Sequence, residues 1–320
     1  MEKIIAPIDR KLIIAELTED KFVRHTNKLR NHLYLVTHHN SPNIMLEIGR
    51  LREEAFRMAG GGTGKSADID AYDTAKHPFL QLIVWDPDDQ EIIAGYRLIK
   101  CSDAEKDENG QIISATAHLF NLSQDFYKNY LPNTIELGRS FVQPKYQRGA
   151  SKKGLFSMDN LWDGLGAYVV QNPDIKYLFG KVTMYPHFQR EARNMILAFM
   201  EHYFPDKENL VEPIEPLIKD GELDEYRSMF KELSYKDGYA LLNKEVRARG
   251  ENIPPLINTY MNISATMKTF GTSLNHEFGE VEETGILAIV DDIYPARKER
   301  HLDTYERDKE FLGPLAKKHD

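Results

Sequence analysis

Thr134-Ile-Glu-Leu-Gly-Arg-Ser-Phe-Val142, followed by Gln143-Pro-Lys-Tyr-Gln-Arg-Gly-Ala-Ser-Lys-Lys-Gly154, is the stretch on which the reading of the chain turns. The first segment has the apolar content of a buried strand yet carries a glutamate and an arginine, and burying charge needs a chemical reason. The second is a basic, glycine-containing turn. Beyond it Leu155, Met158, Leu161, Trp162, Leu165 and Val169 recur at helical spacing. Such a turn, emptying into a helix N-terminus, offers unpaired backbone N–H groups and the positive end of the helix dipole, which together suit a phosphate. Gln147, Arg148, Gly149, Ala150, Lys152, Lys153 and Gly154 are therefore the candidate phosphate-binding residues; the alternative is a solvated basic turn.

Glu136 and Arg139 would face opposite sides of a regular strand, because side chains alternate with period two. A bulge at Gly138, where glycine supplies a permissive backbone, would bring both onto one face, and such a bulge is expected.

Upstream, Arg52 and Phe56 share a face of the helix expected over Met45–Met58. Asp70 and Asp73 follow a glycine loop, and Arg97 sits in Ala-Gly-Tyr-Arg-Leu. This ordered set, taken with the strand, the Val142-x-Pro-x-Tyr-x-Arg-Gly149 turn and its helix, resembles the GCN5-related N-acyltransferase superfamily. Within it the set is similar to the branch of acyl-homoserine-lactone synthases and hemolysin-like, ornithine-lipid or glycine-lipid N-acyltransferases. Gly60-Gly-Gly-Thr-Gly64, Lys176-Tyr-Leu-Phe-Gly-Lys-Val182 and Ile253-Pro-Pro-Leu-Ile257 resemble the lipid-forming enzymes more than the signal synthases.

The resemblance covers roughly residues 10 to 300. It implies an α/β fold with a mixed, mostly antiparallel central sheet flanked by helices. The implied reaction moves a fatty acyl group, 3-hydroxylated, from acyl carrier protein to the α-amine of glycine or ornithine, giving a lyso-aminolipid. Acyl-phosphopantetheine would be a co-substrate, on acyl carrier protein or as acyl-CoA, and no cofactor would be bound permanently. Peripheral membrane contact or a second O-acyltransferase are further partners in keeping with a lipid product.

At 320 residues the chain can bury a large core, and its net charge of -9 is a poor prior for nucleic-acid binding. The single cysteine, Cys101, excludes an internal disulfide and points to the cytoplasm; no signal peptide or membrane span is read. One domain is expected over 1–300, with a core at 10–204, a helical insertion at 205–250, a closing helix and strand at 251–295, and a loose polar tail at 301–320. Lys11-Leu-Ile-Ile-Ala-Glu-Leu17 reads as a first strand, Asp20–Leu35 as helical segments, Phe79–Trp85 and Glu91–Ile99 as paired strands, and Tyr177–Met184 as another strand.

An N-acyltransferase must hold a thioester, aim an uncharged amine at its carbonyl and stabilise the oxyanion that develops. Glu136 is the candidate proton acceptor, or else half of a structural pair with Arg139; the resemblance places both in the active site. Asp70 and Asp73, with Asp68 nearby, would hold the acceptor's ammonium, while Arg52, Arg97 or Arg139 would hold its carboxylate and Phe56 belongs to the same set. The alternative is a solvated acidic loop; a calcium site lacks the late glutamate of an EF-hand. Tyr185 would protonate the leaving thiolate or serve as a rim tyrosine. Lys145, Arg148, Lys152 and Lys153 would also suit an acidic carrier protein. No metal site is expected, since His38 and His39 point apart and His187 and His276 lack partners at ligand spacing.

Two rivals stand beside this reading. One is an acyl-CoA-dependent acyltransferase or acyl-homoserine-lactone synthase. The other is a non-enzymatic nucleotide-binding module built on Ala59-Gly-Gly-Gly-Thr-Gly-Lys-Ser66, although a P-loop needs a strand before it and here a helix precedes. A loop that folds over the substrate is the preferred reading of that segment.

Overall fold

The computed structural model describes residues 1–147, 153–218 and 221–305. Its ten strands are β1 (Phe22–His25), β2 (His32–Val36), β3 (Leu80–Asp86), β4 (Glu91–Lys100), β5 (Phe120–Leu122), β6 (Thr134–Val142), β7 (Tyr177–Met184), β8 (Val211–Pro213), β9 (Lys268–Asn275) and β10 (Val281–Ile289). The main sheet has eight strands in the order β1-β2-β3-β4-β6-β7-β10-β9, while β5 and β8 form a separate small ribbon. Every neighbouring pair in the main sheet is antiparallel except β6 and β7.

Alternation along the strands divides the core. Leu33, Leu82, Val84 and Leu98 turn to the face covered by α4 (Ser157–Gln171) and α5 (Arg190–Tyr203). Tyr34, Val36, Ile83 and Trp85 turn to the opposite face, against α1 (Arg10–Glu16) and α2 (Pro42–Met58). Period-two patterning thus buries both sides of the central strands, the arrangement of an α/β domain.

The parallel pair is short. β6 and β7 stay in register only from Thr134 opposite Tyr177 to Leu137 opposite Gly180, after which the two strands run on without pairing to each other. At the last paired position a Cβ on Gly180 would lie 2.4 Å from the carbonyl oxygen of Leu137, so only glycine permits this approach. On its other edge β6 carries the expected bulge: Gly95 faces Phe141 and Arg97 faces Gly138, leaving an extra residue on β6. The left-handed backbone, however, belongs to Arg139 (φ +51°) and not to Gly138. Ile135 and Leu137 join the α4 side, Phe141 joins the α2 side, and Glu136 and Arg139 open into one cleft.

Several local expectations are corrected. Residues 10–16 form α1, with the Asp9 carboxylate accepting from the Lys11 N–H as its N-cap, where the apolar run suggested a strand. Residues 22–36 form the β1–β2 hairpin, turned by Leu29 and Arg30 in the left-handed region, where helices were expected. Between residues 205 and 250 lie β8 as well as α6 (Asp224–Ser228) and α7 (Tyr235–Ala248), and Leu223, Phe230, Leu242 and Val246 join the main core. The helix near residue 255 is α8 (Pro255–Met261), shorter than its apolar pattern, and β9 follows it. After α9 (Pro295–His301) the chain is not loose as far as residue 305: Asp163 holds His301 at 2.8 Å, and the Thr304 hydroxyl accepts from Asn27. Among the described residues no helix is long and apolar enough to cross a membrane.

Gly180→Ala should destabilise the fold by about 1–3 kcal/mol through overpacking at the point where the strands part. A denaturant midpoint unchanged from wild type would show that the close approach of Leu137 is not a constraint.

Candidate active site

The parted strands open a cleft of about 690 Å³ that reaches both sheet faces. Glu136, Arg139, Lys181, Tyr185, Phe278 and Glu283 line its polar part, on β6, β7, β10 and the turn before β10. Tyr96, Tyr146, Leu155, Met158, Pro255 and Leu256 line the part that runs toward the start of α4.

Glu136 is 1% exposed. Its Oε1 accepts from the backbone N–H of Thr116 at 2.8 Å and from the Thr116 hydroxyl at 2.9 Å. Its Oε2 is buried without a hydrogen-bond partner in the protein. One oxygen is therefore clamped, and the other is left for something that enters the cleft.

Arg139 stands beside it, its guanidinium 3.9 Å above the centre of the Phe278 ring and its Nε 2.9 Å from Asp68. Phe56 meets Phe278 edge-on at 5.1 Å. A non-glycine residue with positive φ inside a strand is strained, and here the strain aims a guanidinium into the cleft.

The other acids and arginines of the expected set form a lattice behind these groups. Arg52, fully buried, pairs with Asp73 at 3.0 Å and donates to Gln81. Arg97 donates to both oxygens of Asp70, at 2.9 and 2.7 Å, and reaches Asp73 at 3.2 Å. Asp70 and Asp73 also cap the short helix α3 (Ala71–Thr74) in a reciprocal capping box. Burial alone would push Asp73 up, but the Arg52 and Arg97 guanidiniums hold its carboxyl well below the usual carboxylate range. Of this set only Phe56, Arg97 and Arg139 line the cleft together with Glu136; Arg52, Asp68, Asp70 and Asp73 do not. In this structure Asp70 and Asp73 are paired with Arg97 and Arg52.

At the turn, Gln147 and Gly154 line the cleft. A Cβ on Gly154 would come within 1.7 Å of the Tyr146 carbonyl oxygen, so glycine is what lets the chain fold back there. Lys153 points elsewhere, to Asp86 at 2.7 Å and Asp89 at 3.0 Å. Arg148, Gly149, Ala150 and Lys152 lie outside the described residues. Lys145, the other basic residue considered for a carrier protein, pairs with Glu91 at 3.0 Å.

The glycine loop is neither a P-loop nor a wall of the cleft. Glu53 accepts from the N–H and hydroxyl of Thr63 and from the N–H of Gly64, so those donors are already spent on a carboxylate. Gly61 packs against the Tyr185 ring, the Val281 side chain and the Phe278 carbonyl, so the loop supports the Tyr185 ring from outside. Cys101 is fully buried, and burial pushes its thiol well above its ordinary value, which leaves it structural.

Burial also pushes the Tyr185 phenol up to about 12, with the charge of Glu283 adding to it. Thr116, Lys181 and Glu283 are the site residues that sequence reasoning missed. Lys181 left a signal, a charge isolated within an apolar strand, as Glu136 did, whereas Glu283 lies beside Glu282 in the polar start of β10 and left none. Thr116 left none, because its place under Glu136 is set by contact across the fold.

Breaking the lattice should be costly. Arg52→Met would leave Asp73 buried with a lost partner and destabilise the protein by about 3–5 kcal/mol. Because the folded pKa of Asp73 lies below its unfolded value, the stability it contributes is complete above about pH 4 and is lost progressively as pH falls below it. Asp73→Asn should therefore lower the urea midpoint at pH 7 and flatten its decline toward pH 3. An unchanged midpoint in both variants would make the lattice energetically neutral.

Residues 51–157 match the family described as acetyltransferase (GNAT) domain. The solved acyl-homoserine-lactone synthase LasI aligns at 12% identity with a TM-score of 0.42, over 88% of this chain and all of that one. The glycine N(alpha)-acyltransferase of Bacteroides thetaiotaomicron is 55% identical over 306 residues, 95% of this chain and 91% of the relative. That of Phocaeicola vulgatus is 52% identical over 306 residues, 95% of this chain and 94% of the relative. With that identity sustained along nearly its whole length, the chain belongs to the family of these GNAT-type N-acyltransferases and is an N-acyltransferase.

Proposed function

We propose that the protein transfers a fatty acyl group from the phosphopantetheine arm of acyl carrier protein to the α-amine of glycine, giving an N-acylglycine. The observation that carries this reading is the bare Oε2 of Glu136 at the parting of β6 and β7.

In the proposed reaction the acceptor enters on the Arg139 side and the thioester lies along the arm of the cleft that leads from Gly154 and the start of α4. Glu136 takes a proton from the acceptor's ammonium, directly or through water, and the freed amine attacks the thioester carbonyl. In this reading, backbone N–H groups on the edge of β6 that no longer pairs with β7 stabilise the oxyanion. The C–N bond forms and the C–S bond breaks; as the tetrahedral intermediate collapses, the second proton of the attacking nitrogen passes to the departing sulfur, directly or through water, so that the arm leaves as a thiol. A phenol near 12 is a weaker acid than a thiol near 8.5, so Tyr185 acts on that sulfur as a hydrogen-bond donor and does not surrender its proton.

Glycine is favoured over ornithine by its relatives' names and by the charge of the cleft. The carboxylates lining the cleft among the described residues are Glu136, Asp159 and Glu283. Arg300 donates to Asp159, while Lys181 and Asn275 hold Glu283. With Glu136 assigned to the α-amine, the distal ammonium of ornithine has no uncommitted acid to meet.

Purified protein given glycine or ornithine with acyl carrier protein or CoA thioesters, read by mass spectrometry, should yield N-acylglycine most rapidly from the carrier protein. Faster acylation of ornithine, or equal use of CoA, would replace the corresponding part of the proposal. Glu136→Gln should lower kcat by about 10²–10⁴ with little change in the donor KM. Tyr185→Phe should lose less than that, as suits a hydrogen-bond donor.

A further inference from the structure

A single peptide unit joins two charged groups that line the cleft. The carbonyl oxygen of Ala115 accepts from the Lys181 Nζ at 2.7 Å, and the N–H of the same Ala115–Thr116 peptide donates to Glu136 Oε1 at 2.8 Å. Lys181 lies on β7 immediately after Gly180, where that strand leaves β6; Glu136 lies on β6 just before the same point. The peptide therefore bridges the two strands where their own hydrogen bonds stop. Glu283, on β10, fixes the ammonium from the other side at 2.9 Å and is itself held by Asn275 at 3.1 Å.

We infer that Lys181 is a positioning residue of the transfer reaction: its ammonium orients and polarises the Ala115–Thr116 peptide, which clamps Oε1 of Glu136 and leaves Oε2 toward the acceptor amine. The inference rests on Glu136 being the proton acceptor. A cation on a peptide oxygen strengthens the N–H of that peptide as a donor, and in a low-dielectric site such polarisation passes along the chain of hydrogen bonds. A donor to a carboxylate favours its charged form. Glu136 thus gains support from a cation that does not touch it, which leaves Oε2 uncovered. A direct ion pair would occupy the oxygen that has to take the proton.

The groups facing Glu136 from the surrounding elements are consistent with this assignment. Burial keeps the Cys101 thiol and the Tyr72 phenol above their ordinary values, so both are neutral at working pH. Arg97 is held by Asp70 and Asp73, and Arg139 by Asp68. Lys181 is the cation tied to the Glu136 clamp itself, with Glu283 as its counter-charge.

The test is the pH dependence of kcat/KM for glycine at saturating acyl donor. Three variants are compared with wild type: Lys181→Met/Glu283→Gln, which keeps the interior neutral; Thr116→Val, which removes the hydroxyl half of the clamp; and Lys181→Arg. Loss of support for the carboxylate raises its pKa, so the acid limb should move to higher pH by roughly 0.5 or more in the first two variants. The donor KM should stay constant, and Lys181→Arg should return the limb toward its wild-type position. A limb that stays in place while only the KM for glycine rises overturns the inference and makes Lys181 a direct contact to the acceptor carboxylate. If the double variant fails to fold, Lys181→Gln, which removes the charge but can still donate to the Ala115 carbonyl, decides by the same criterion, with Thr116→Val showing how far the limb moves when a direct donor to Glu136 is lost. Glu136→Gln measured in parallel separates the two readings. Wild-type activity there removes Glu136 as proton acceptor, whereas an inactive Glu136→Gln with an unmoved limb in the other variants removes only the relay.

Discussion

The separation of two parallel strands after Leu137 and Gly180 is the constraint on which the rest of the site depends. A parallel pair that stayed in register would seal the sheet and spend the backbone groups of both strands on each other. Once the strands diverge, their facing edges and the side chains beside them line a cleft through the middle of the sheet. A buried backbone edge is costly unless something satisfies it, so a gap of this kind persists only when the surrounding structure holds it open. Here the bulge in β6 and the peptide bridge between Lys181 and Glu136 hold one wall each.

The charged residues divide into those that meet the cleft and those that hold the first group still. Arg52 and Asp73 are fully buried and Asp70 is half-buried, and their pairing fixes Arg97 and the α3 capping box. Asp68 and the Phe278 ring then hold the guanidinium of a strained Arg139 over the cleft. Buried ion pairs contribute little net stability compared with apolar packing, but removing one partner is expensive. Such a lattice suits a site that needs rigid placement: each charge resists displacement because moving it would strand its neighbour.

Much of this was legible beforehand. β4, β6, β7, α2 and α5 follow directly from apolar periodicity, and the bulge followed from Glu136 and Arg139 lying three residues apart. A bulge on Gly138 is expected because glycine tolerates positive φ most cheaply; the structure puts the strain on Arg139, whose side chain lines the cleft. The β1–β2 hairpin was read as helical because its pattern is short and its pairing with β3 is distant in sequence. α1 was read as a strand because three consecutive apolar residues outweighed the cap at Asp9. A motif shows that charges such as Asp70 and Asp73 belong together without showing which of them pair with one another and which face a ligand.

By itself the sequence determined the alternating strands, the acyltransferase-like order of charged residues and the lone cysteine that excludes an internal disulfide, because each is a property of residue type and spacing. Only the tertiary structure decided that β6 and β7 part, that Asp70 and Asp73 serve arginines, and that Thr116 and Lys181 meet Glu136 through one peptide. Those facts rest on contacts between segments far apart in the chain. Whether a buried charge is scaffold or reagent depends on what has already paired with it, and pairing exists only once the chain has closed.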